Sequence, residues 1–178
     1  MTPYSASKLT TSLMTLFAAF VMQVMFAPPL SIMGVTPNFL MVAVVVIAFM
    51  RGSRDGTILG FFAGLLFDLI GTTVVGPMAL ALTITGFIAG LMKEQIFASS
   101  WVLPVTVLGV ASLIAETIYL VMLTALGMPM SFFSAFFTRA LPGALYCMLI
   151  AIIVFPALTR FLNLGSSSAE ASTFKRVT

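Results

Sequence analysis

The sequence predicts an all-α integral membrane protein with six transmembrane helices, and composition and length carry this prediction. Of the 178 residues, 61% are hydrophobic and 7% are charged, and the mean hydropathy is +1.19. Soluble domains carry about 25% charged residues, so this chain has too little polar surface to coat a globule in water. Because a spanning helix needs about 20 apolar residues, the length allows five or six spans and no sizeable soluble domain.

Breaks in the apolar pattern divide the chain into a single transmembrane domain over 1–162 and a tail over 163–178. The predicted spans are 9–27, 37–50, 57–71, 77–92, 102–126 and 140–162. The tail is rich in Ser and Ala, and we predict that it is disordered and cytoplasmic.

Prolines and charged turns explain the first four spans. The first apolar stretch is followed by Pro28-Pro29 and not by a small-residue cleavage site, so we interpret it as an uncleaved span rather than a signal peptide. Pro37 opens the second span, which is short at about 21 Å. The third span follows a charged turn at 51–56. Pro77 opens the fourth, at a helix position where a missing N–H costs little.

The last two spans flank a break at 127–131. Trp101 precedes the fifth span, where interfacial aromatic residues are common. The break reads Gly-Met-Pro-Met-Ser and ends that span. An aromatic stretch at 132–137 then lies along the predicted interface, before Arg139 and the sixth span.

The positive residues favour cytoplasmic termini. With the N-terminus inside and six spans, Arg139 is the single Lys or Arg on the outer side. The inner set is Lys8, Arg51, Arg54, Lys93, Arg160, Lys175 and Arg176. This is a clear positive-inside pattern, and a five-span topology would spoil it by placing one terminus outside.

Small residues recur at a spacing of four in residues 56–92. The column in the third span is Gly56, Gly60, Gly64 and Asp68, and that in the fourth is Ala79, Thr83, Gly86 and Gly90. Such residues share one helix face and let helices approach closely in a membrane. We predict a close-packed helical hairpin around the uncharged turn at 72–76. The sequence leaves open whether the glycines pack within the chain or against another protein.

Three ionisable residues fall in the outer half of the predicted spans: Asp68, Glu116 and Arg139. Charges there usually pair or face a cavity. Two interpretations of Asp68 stand side by side: a contact for a partner, ligand or proton, or a structural carboxylate bonded to groups in the turn. We hypothesise that Arg139 neutralises Asp68 or Glu116, and we favour a pair that ties helices together over a transport site.

The candidate structural or partner-contact residues combine both sets. They are Gly60, Gly64, Asp68, Gly76, Pro77, Gly86, Gly90, Glu116 and Arg139.

The composition argues against most kinds of metal, cofactor and catalytic site. Histidine is absent and Cys147 is the single cysteine, so haem, imidazole or thiolate metal sites and intrachain disulfides are excluded. The five acidic residues are scattered, and no phosphate-binding loop or catalytic pair is present. The net charge of +3 is dispersed and does not indicate nucleic acid binding. We therefore predict no cofactor, no metal and no catalysis, with lipids and proteins as the partners.

Five short motifs follow one another between Thr36 and Met92, about a third of the chain. They are Pro37-Asn38-Phe-Leu-Met-Val, Arg51-Gly52, Gly60-Phe-Phe-Ala-Gly64-Leu-Leu-Phe-Asp68, Gly76-Pro77-Met-Ala-Leu and Gly86-Phe-Ile-Ala-Gly90. In this order and spacing they resemble the rod shape-determining protein MreD family. The resemblance implies a non-catalytic scaffold of the bacterial inner membrane that regulates cell shape and lateral peptidoglycan synthesis. Its implied partners are the bitopic protein MreC and, indirectly, MreB, a RodA-type glycosyltransferase and a penicillin-binding transpeptidase.

The family is also similar in fold to the substrate-binding subunits of energy-coupling-factor transporters, which supplies an alternative function in vitamin or metal uptake. Those subunits dock a coupling subunit through an Ala-x-x-x-Ala pattern in the first span. Here Ala18 is followed four residues on by Met22, and Ala19 by Gln23. The short outer loops also offer few polar groups to orient a ligand. An intramembrane enzyme is a third and poorer match, because no catalytic pair is recognisable.

Overall fold

The computed structural model of the chain describes residues 3–32, 34–71, 74–93 and 102–174, and side chains among these from Leu9 to Arg160 except at 102 and 103. The helices are α1 (Pro3–Phe26), α2 (Phe39–Arg51), α3 (Ser53–Ile70), α4 (Pro77–Leu91), α5 (Val102–Ala125), α6 (Phe132–Ala135), a π-helical turn (Phe136–Ala140) and α7 (Leu141–Phe174). Outside helices, the described ranges contain only an isolated β-bridge between Ile32 and Val35. The predicted all-α class is confirmed.

Each predicted span overlaps a helix. Among the described residues, three segments can cross a membrane by length and composition: Leu9–Phe26, Pro104–Ala125 and Phe132–Arg160. Two further helices, Phe39–Arg51 and Pro77–Leu91, are apolar but shorter. The chain is therefore a helical membrane protein, and the count of six spans stays a prediction.

The last helix differs from the sequence-based expectation at both ends. Helical structure starts at Phe132 rather than near residue 140 and continues to Phe174, into the segment predicted to be disordered. The chain holds no proline after Pro156, and Ala169 and Ala171 favour helix.

The π-helical turn explains how the helix passes Pro142 without a break. A proline ring collides with the carbonyl of a preceding α-turn. Here Leu141 donates its N–H to the carbonyl of Phe136, five residues back, and this wider turn leaves room for the ring. It also brings Ala135 and Ala140, which are five residues apart and both buried, to one face.

Helix α2 lies at the centre of the bundle. From Phe39 to Phe49 every residue is at most 4% exposed, and α1, α3, α4, α5 and α7 all contact it. A helix that is apolar all round is expected to be buried on every side. Because other helices surround α2 along its length, a cavity that borders α2 is expected at one of its two ends.

The N-terminus of α2 is held by two amide side chains. Asn38 accepts a hydrogen bond from the N–H of Met41 at 2.9 Å, as a helix cap does. Gln23 of α1 accepts from the N–H of Phe39 at 2.8 Å and donates to the carbonyl of Pro37 at 3.2 Å. These bonds fix the start of α2 against α1.

Polarity is reversed relative to a soluble protein. The outer faces carry exposed large apolar side chains such as Phe17, Phe133 and Ile153, whereas Thr15, Asp68 and Ser112 are buried. Such an apolar exterior suits lipid, and it leaves polar groups to be satisfied within the bundle.

Candidate functional site

Helices α3 and α4 touch through their backbones. A Cβ added at Gly56 would lie 2.5 Å from the carbonyl oxygen of Gly86. A Cβ at Gly60 would meet the carbonyl of Leu82, and one at Gly64 the backbone of Met78 and Ala79.

The fourth-span glycines contact α3 in the same way. A Cβ at Gly86 would meet the carbonyl of Gly56, and one at Gly90 the backbone of Ser53. These distances are shorter than real Cβ contacts allow, so the interface needs glycine at these positions. Of the two alternatives left open by the sequence, the structure places the glycine columns within the chain.

Asp68 lies at the end of this interface and caps α4. Its side chain is 4% exposed. Oδ2 accepts hydrogen bonds from the N–H groups of Gly76 at 2.9 Å and Ala79 at 3.0 Å, and Oδ1 accepts one from Met78 at 3.2 Å. The intervening Pro77 has no N–H to satisfy. The carboxylate therefore serves the free N–H groups at the positive end of α4, which matches the structural interpretation of Asp68.

Gly76 makes this cap possible. Its φ is +125°, a backbone conformation that side-chain-bearing residues rarely adopt. The turn aims the N–H of Gly76 back at Asp68 before Pro77 starts α4.

A cavity of about 170 Å³ lies where α2 begins, between α5 and the segment around the π-helical turn. Its polar lining comes from Thr36, Asn38, Glu116, Tyr119 and Arg139. The rest of the wall is Gly34, Val35, Phe67, Met78, Leu120 and Gly143.

Glu116 and Arg139 share this cavity. Glu116 is half-buried and Arg139 is exposed, and both side chains line the same opening. Asp68 does not line the cavity; its oxygens face the start of α4 instead. Of the two partners hypothesised for Arg139, the structure therefore places Glu116 beside it.

Further polar contacts lie next to Glu116, toward the interior of the bundle. Ser112, one turn earlier on α5, is buried, and its side chain hydrogen-bonds the Cys147 thiol, which also bonds the backbone of Asn38. Gly109 lies another turn away under the methyl end of Met148. One face of α5 thus joins α7 to the N-terminus of α2 and ends in the cavity.

The wall of this cavity combines hydrogen-bond donors and acceptors of both charges. A carboxylate, a guanidinium, an amide and a phenol can together bind a polar group that both donates and accepts. The family model of the rod shape-determining protein MreD matches residues 5–164. The chain belongs to the MreD family. Membership gives it a role in rod shape determination, and it confirms the resemblance seen in the sequence.

No curated protein and no solved structure matches this MreD-family chain. The family match runs from the first turn of α1 to residue 164, about two thirds of the way along α7. Both the glycine interface and the cavity lie inside the matched region.

Sequence reasoning about this MreD-family protein missed part of the site. Thr36, Asn38 and Tyr119 line the cavity with Glu116 and Arg139, but they come from segments far apart in sequence. Two signals were available: Asn38 follows Pro37 at the start of a span, and Gln23 interrupts the first apolar stretch. Both residues turn out to hold the N-terminus of α2 beside the cavity.

Proposed function

We propose that this MreD-family protein is a non-catalytic scaffold of the bacterial inner membrane that binds an MreC-type bitopic protein. Through this partner it would act in cell elongation and lateral peptidoglycan synthesis, indirectly with MreB, a RodA-type glycosyltransferase and a penicillin-binding transpeptidase. The observation that carries the proposal is the polar cavity lined by Glu116 and Arg139, two residues of opposite charge.

The other candidate contacts are already occupied within the chain. The column of Gly60 and Gly64 packs against α4, and Asp68 accepts three backbone hydrogen bonds. Glu116 and Arg139, by contrast, line an open space. A partner segment in that space could donate to the carboxylate and accept from the guanidinium, and such charge complementarity gives an interface its specificity.

The proposed topology has six spans, both termini in the cytoplasm and the fold of an energy-coupling-factor substrate-binding subunit. The positive-inside pattern supports the orientation. In this topology the cavity opens outward, because Asn38 and Arg51 mark opposite ends of α2, about 20 Å apart. The partner would then enter the cavity with residues just outside its own transmembrane helix.

Affinity purification of the tagged protein from its own membranes in mild detergent tests this proposal. We expect an MreC-type protein to co-purify with the unmodified chain. Glu116→Gln and Arg139→Gln should each lower its recovery at least about tenfold. The bound partner would bury both charges, and removing one member of a buried, hydrogen-bonded charge pair costs about 2 kcal/mol or more.

Arg160→Gln is the matched control, since Arg160 is exposed and lies on α7 about five turns beyond the π-helical turn that carries Arg139. It should leave recovery unchanged. Full recovery with the Glu116→Gln, Arg139→Gln double variant would eliminate the cavity as the partner site.

The cavity also supports a second candidate, a substrate-binding subunit of a vitamin or metal transporter. A polar pocket with both charges could hold a small ligand. Co-purification of paired ATPases with a coupling subunit, in place of the MreC-type protein, would favour this alternative.

A further inference from the structure

An apolar groove lies between α1 and α7, next to the polar cavity. Its volume is about 430 Å³. Among the described residues that line it, only Tyr146 has a polar side chain. Phe26 of α1 and Leu149 and Ile153 of α7 line the groove and are all exposed. The groove is therefore open on the apolar surface that suits lipid.

The groove and the cavity have neighbouring walls. Asn38 lines the cavity, and Phe39, the next residue, lines the groove. On α7, Gly143 lines the cavity and Tyr146 lines the groove, about 5 Å further along the helix. The Tyr146 hydroxyl donates a hydrogen bond to the carbonyl of Leu30 at 2.7 Å, which fixes α7 to the loop before α2. One molecule can therefore reach both spaces.

The groove has the length and position of an acyl chain in one leaflet. From Tyr146 to Ile153 it follows α7 for about 10 Å, and half of a typical hydrocarbon core is about 15 Å. Tyr146 lies about 10 Å along the helix from Arg139, which is on the outer side in the proposed topology. The groove then runs from the outer surface toward the middle of the membrane.

The cavity has the charges of a zwitterionic headgroup. Its lining includes Arg139, whose guanidinium can bind a phosphate, and Glu116, whose carboxylate can accept hydrogen bonds from a primary ammonium. A volume of about 170 Å³ is below the 300–1,000 Å³ or so of pockets for drug-sized ligands. It suits a group of headgroup size.

The carboxylate selects among phospholipids. The quaternary ammonium of phosphatidylcholine has no N–H to donate to Glu116. The headgroup of phosphatidylglycerol carries no positive charge to set against it. The headgroup of phosphatidylethanolamine has a phosphate for Arg139 and three N–H donors for Glu116.

We propose that the cavity and the groove form one binding site for phosphatidylethanolamine of the outer leaflet. The headgroup lies between Arg139 and Glu116, and one acyl chain lies in the groove between α1 and α7. Only the assignment to the outer leaflet rests on the proposed six-span topology. A partner segment that enters the cavity would displace the headgroup.

Native mass spectrometry of the full chain in detergent tests the site. The protein is titrated with phosphatidylethanolamine, phosphatidylcholine and phosphatidylglycerol that carry the same acyl chains. We expect phosphatidylethanolamine to bind about tenfold more tightly than the other two, because it alone donates N–H groups to a charged acceptor. Equal binding of all three lipids to the unmodified chain would overturn the proposal.

Substitutions in the cavity assign the two charges. Glu116→Gln should remove most of the preference for phosphatidylethanolamine. Arg139→Gln should weaken all three lipids, because each has a phosphate. Arg160→Gln, an exposed arginine elsewhere on α7, is the control and should change nothing. An unchanged preference in the Glu116→Gln, Arg139→Gln double variant would overturn the assignment, and gel filtration checks that each variant is folded.

Soluble phosphoethanolamine separates the headgroup from the whole lipid. It should fail to displace bound phosphatidylethanolamine even at about tenfold molar excess, because burial of the acyl chain supplies much of the affinity. Displacement at equal concentration would show that the groove contributes nothing, and it would overturn the combined site. These titrations use the protein without a partner, so their failure leaves the co-purification test of the proposed function intact.

Discussion

Asp68 and Glu116 are both carboxylates in apolar helices, but they differ in what surrounds them. Asp68 is buried and accepts hydrogen bonds from three backbone N–H groups of its own chain. Glu116 lines a cavity that also contains Arg139. A carboxylate whose acceptor capacity is used by the backbone serves the fold, whereas one that faces an opening is available for recognition. The comparison separates a carboxylate that caps a helix of this MreD-family protein from one that, in the proposed function, contacts the partner.

The largest effect should come from a large side chain placed in the α3–α4 interface, at whose end Asp68 lies. In Gly64→Leu the side chain would collide with the backbone of Met78 and Ala79. We expect a loss of more than about 4 kcal/mol in the free energy of unfolding, seen as loss of the monodisperse peak in detergent gel filtration. Phe61→Leu, on the exposed face of α3, is the control and should fold normally. Equal damage from both variants would refute the glycine packing.

A smaller effect should follow from removing the cap. Asp68→Ala leaves three N–H groups without their acceptor, and we expect a loss of about 3 kcal/mol. Asp68→Asn should recover part of it, because an amide oxygen still accepts. Thermal unfolding in detergent measures both, with Glu116→Gln as the paired control.

Glu116→Gln should change the unfolding free energy by less than about 1 kcal/mol, although we expect it to weaken partner binding. If it destabilises the protein as much as Asp68→Ala does, the two carboxylates are not functionally distinct.

The smallest of these effects concerns the turn that serves Asp68. Gly76→Ala forces an alanine to a φ of +125°, and we expect a loss of about 1–2 kcal/mol. Gly71→Ala, at the other end of the turn, is the matched control because Gly71 has a φ of −69°. Its unfolding temperature should stay near that of the unmodified protein. Identical shifts would mean that the positive φ does not limit the turn.

Local patterns in the sequence predicted the helices and the hairpin well. The four-residue spacing of Gly56, Gly60, Gly64 and Asp68 is a property of one helix, and the apolar stretches mark where the helices lie. The sequence left two interpretations of Asp68 side by side, and its three hydrogen bonds to backbone N–H groups agree with the structural one. Choosing between them required the position of the α4 N–H groups, which depends on how the turn closes.

The cavity could be predicted only in part. Glu116 and Arg139 stand out as charges in apolar segments, but the sequence does not show that Thr36 and Tyr119 join them. That meeting depends on long-range packing of α2, α5 and the residues before α7. The π-helical turn was also missed, because a five-residue spacing of Ala135 and Ala140 contradicts the α-helical period used to find buried faces.

The position of α2 has a consequence for how this protein can vary. A helix with one lipid face tolerates almost any apolar side chain there, so its permitted substitutions follow the helical period. Helix α2 has neighbours on every side and nearly no exposed surface between Phe39 and Phe49. Each position must therefore conserve side-chain volume, because interiors accept exchanges of similar size far better than additions or deletions. Substitutions in α2 are therefore expected to be exchanges of similar volume, such as those among Val, Ile, Leu and Met. No face of this helix should tolerate larger or smaller side chains.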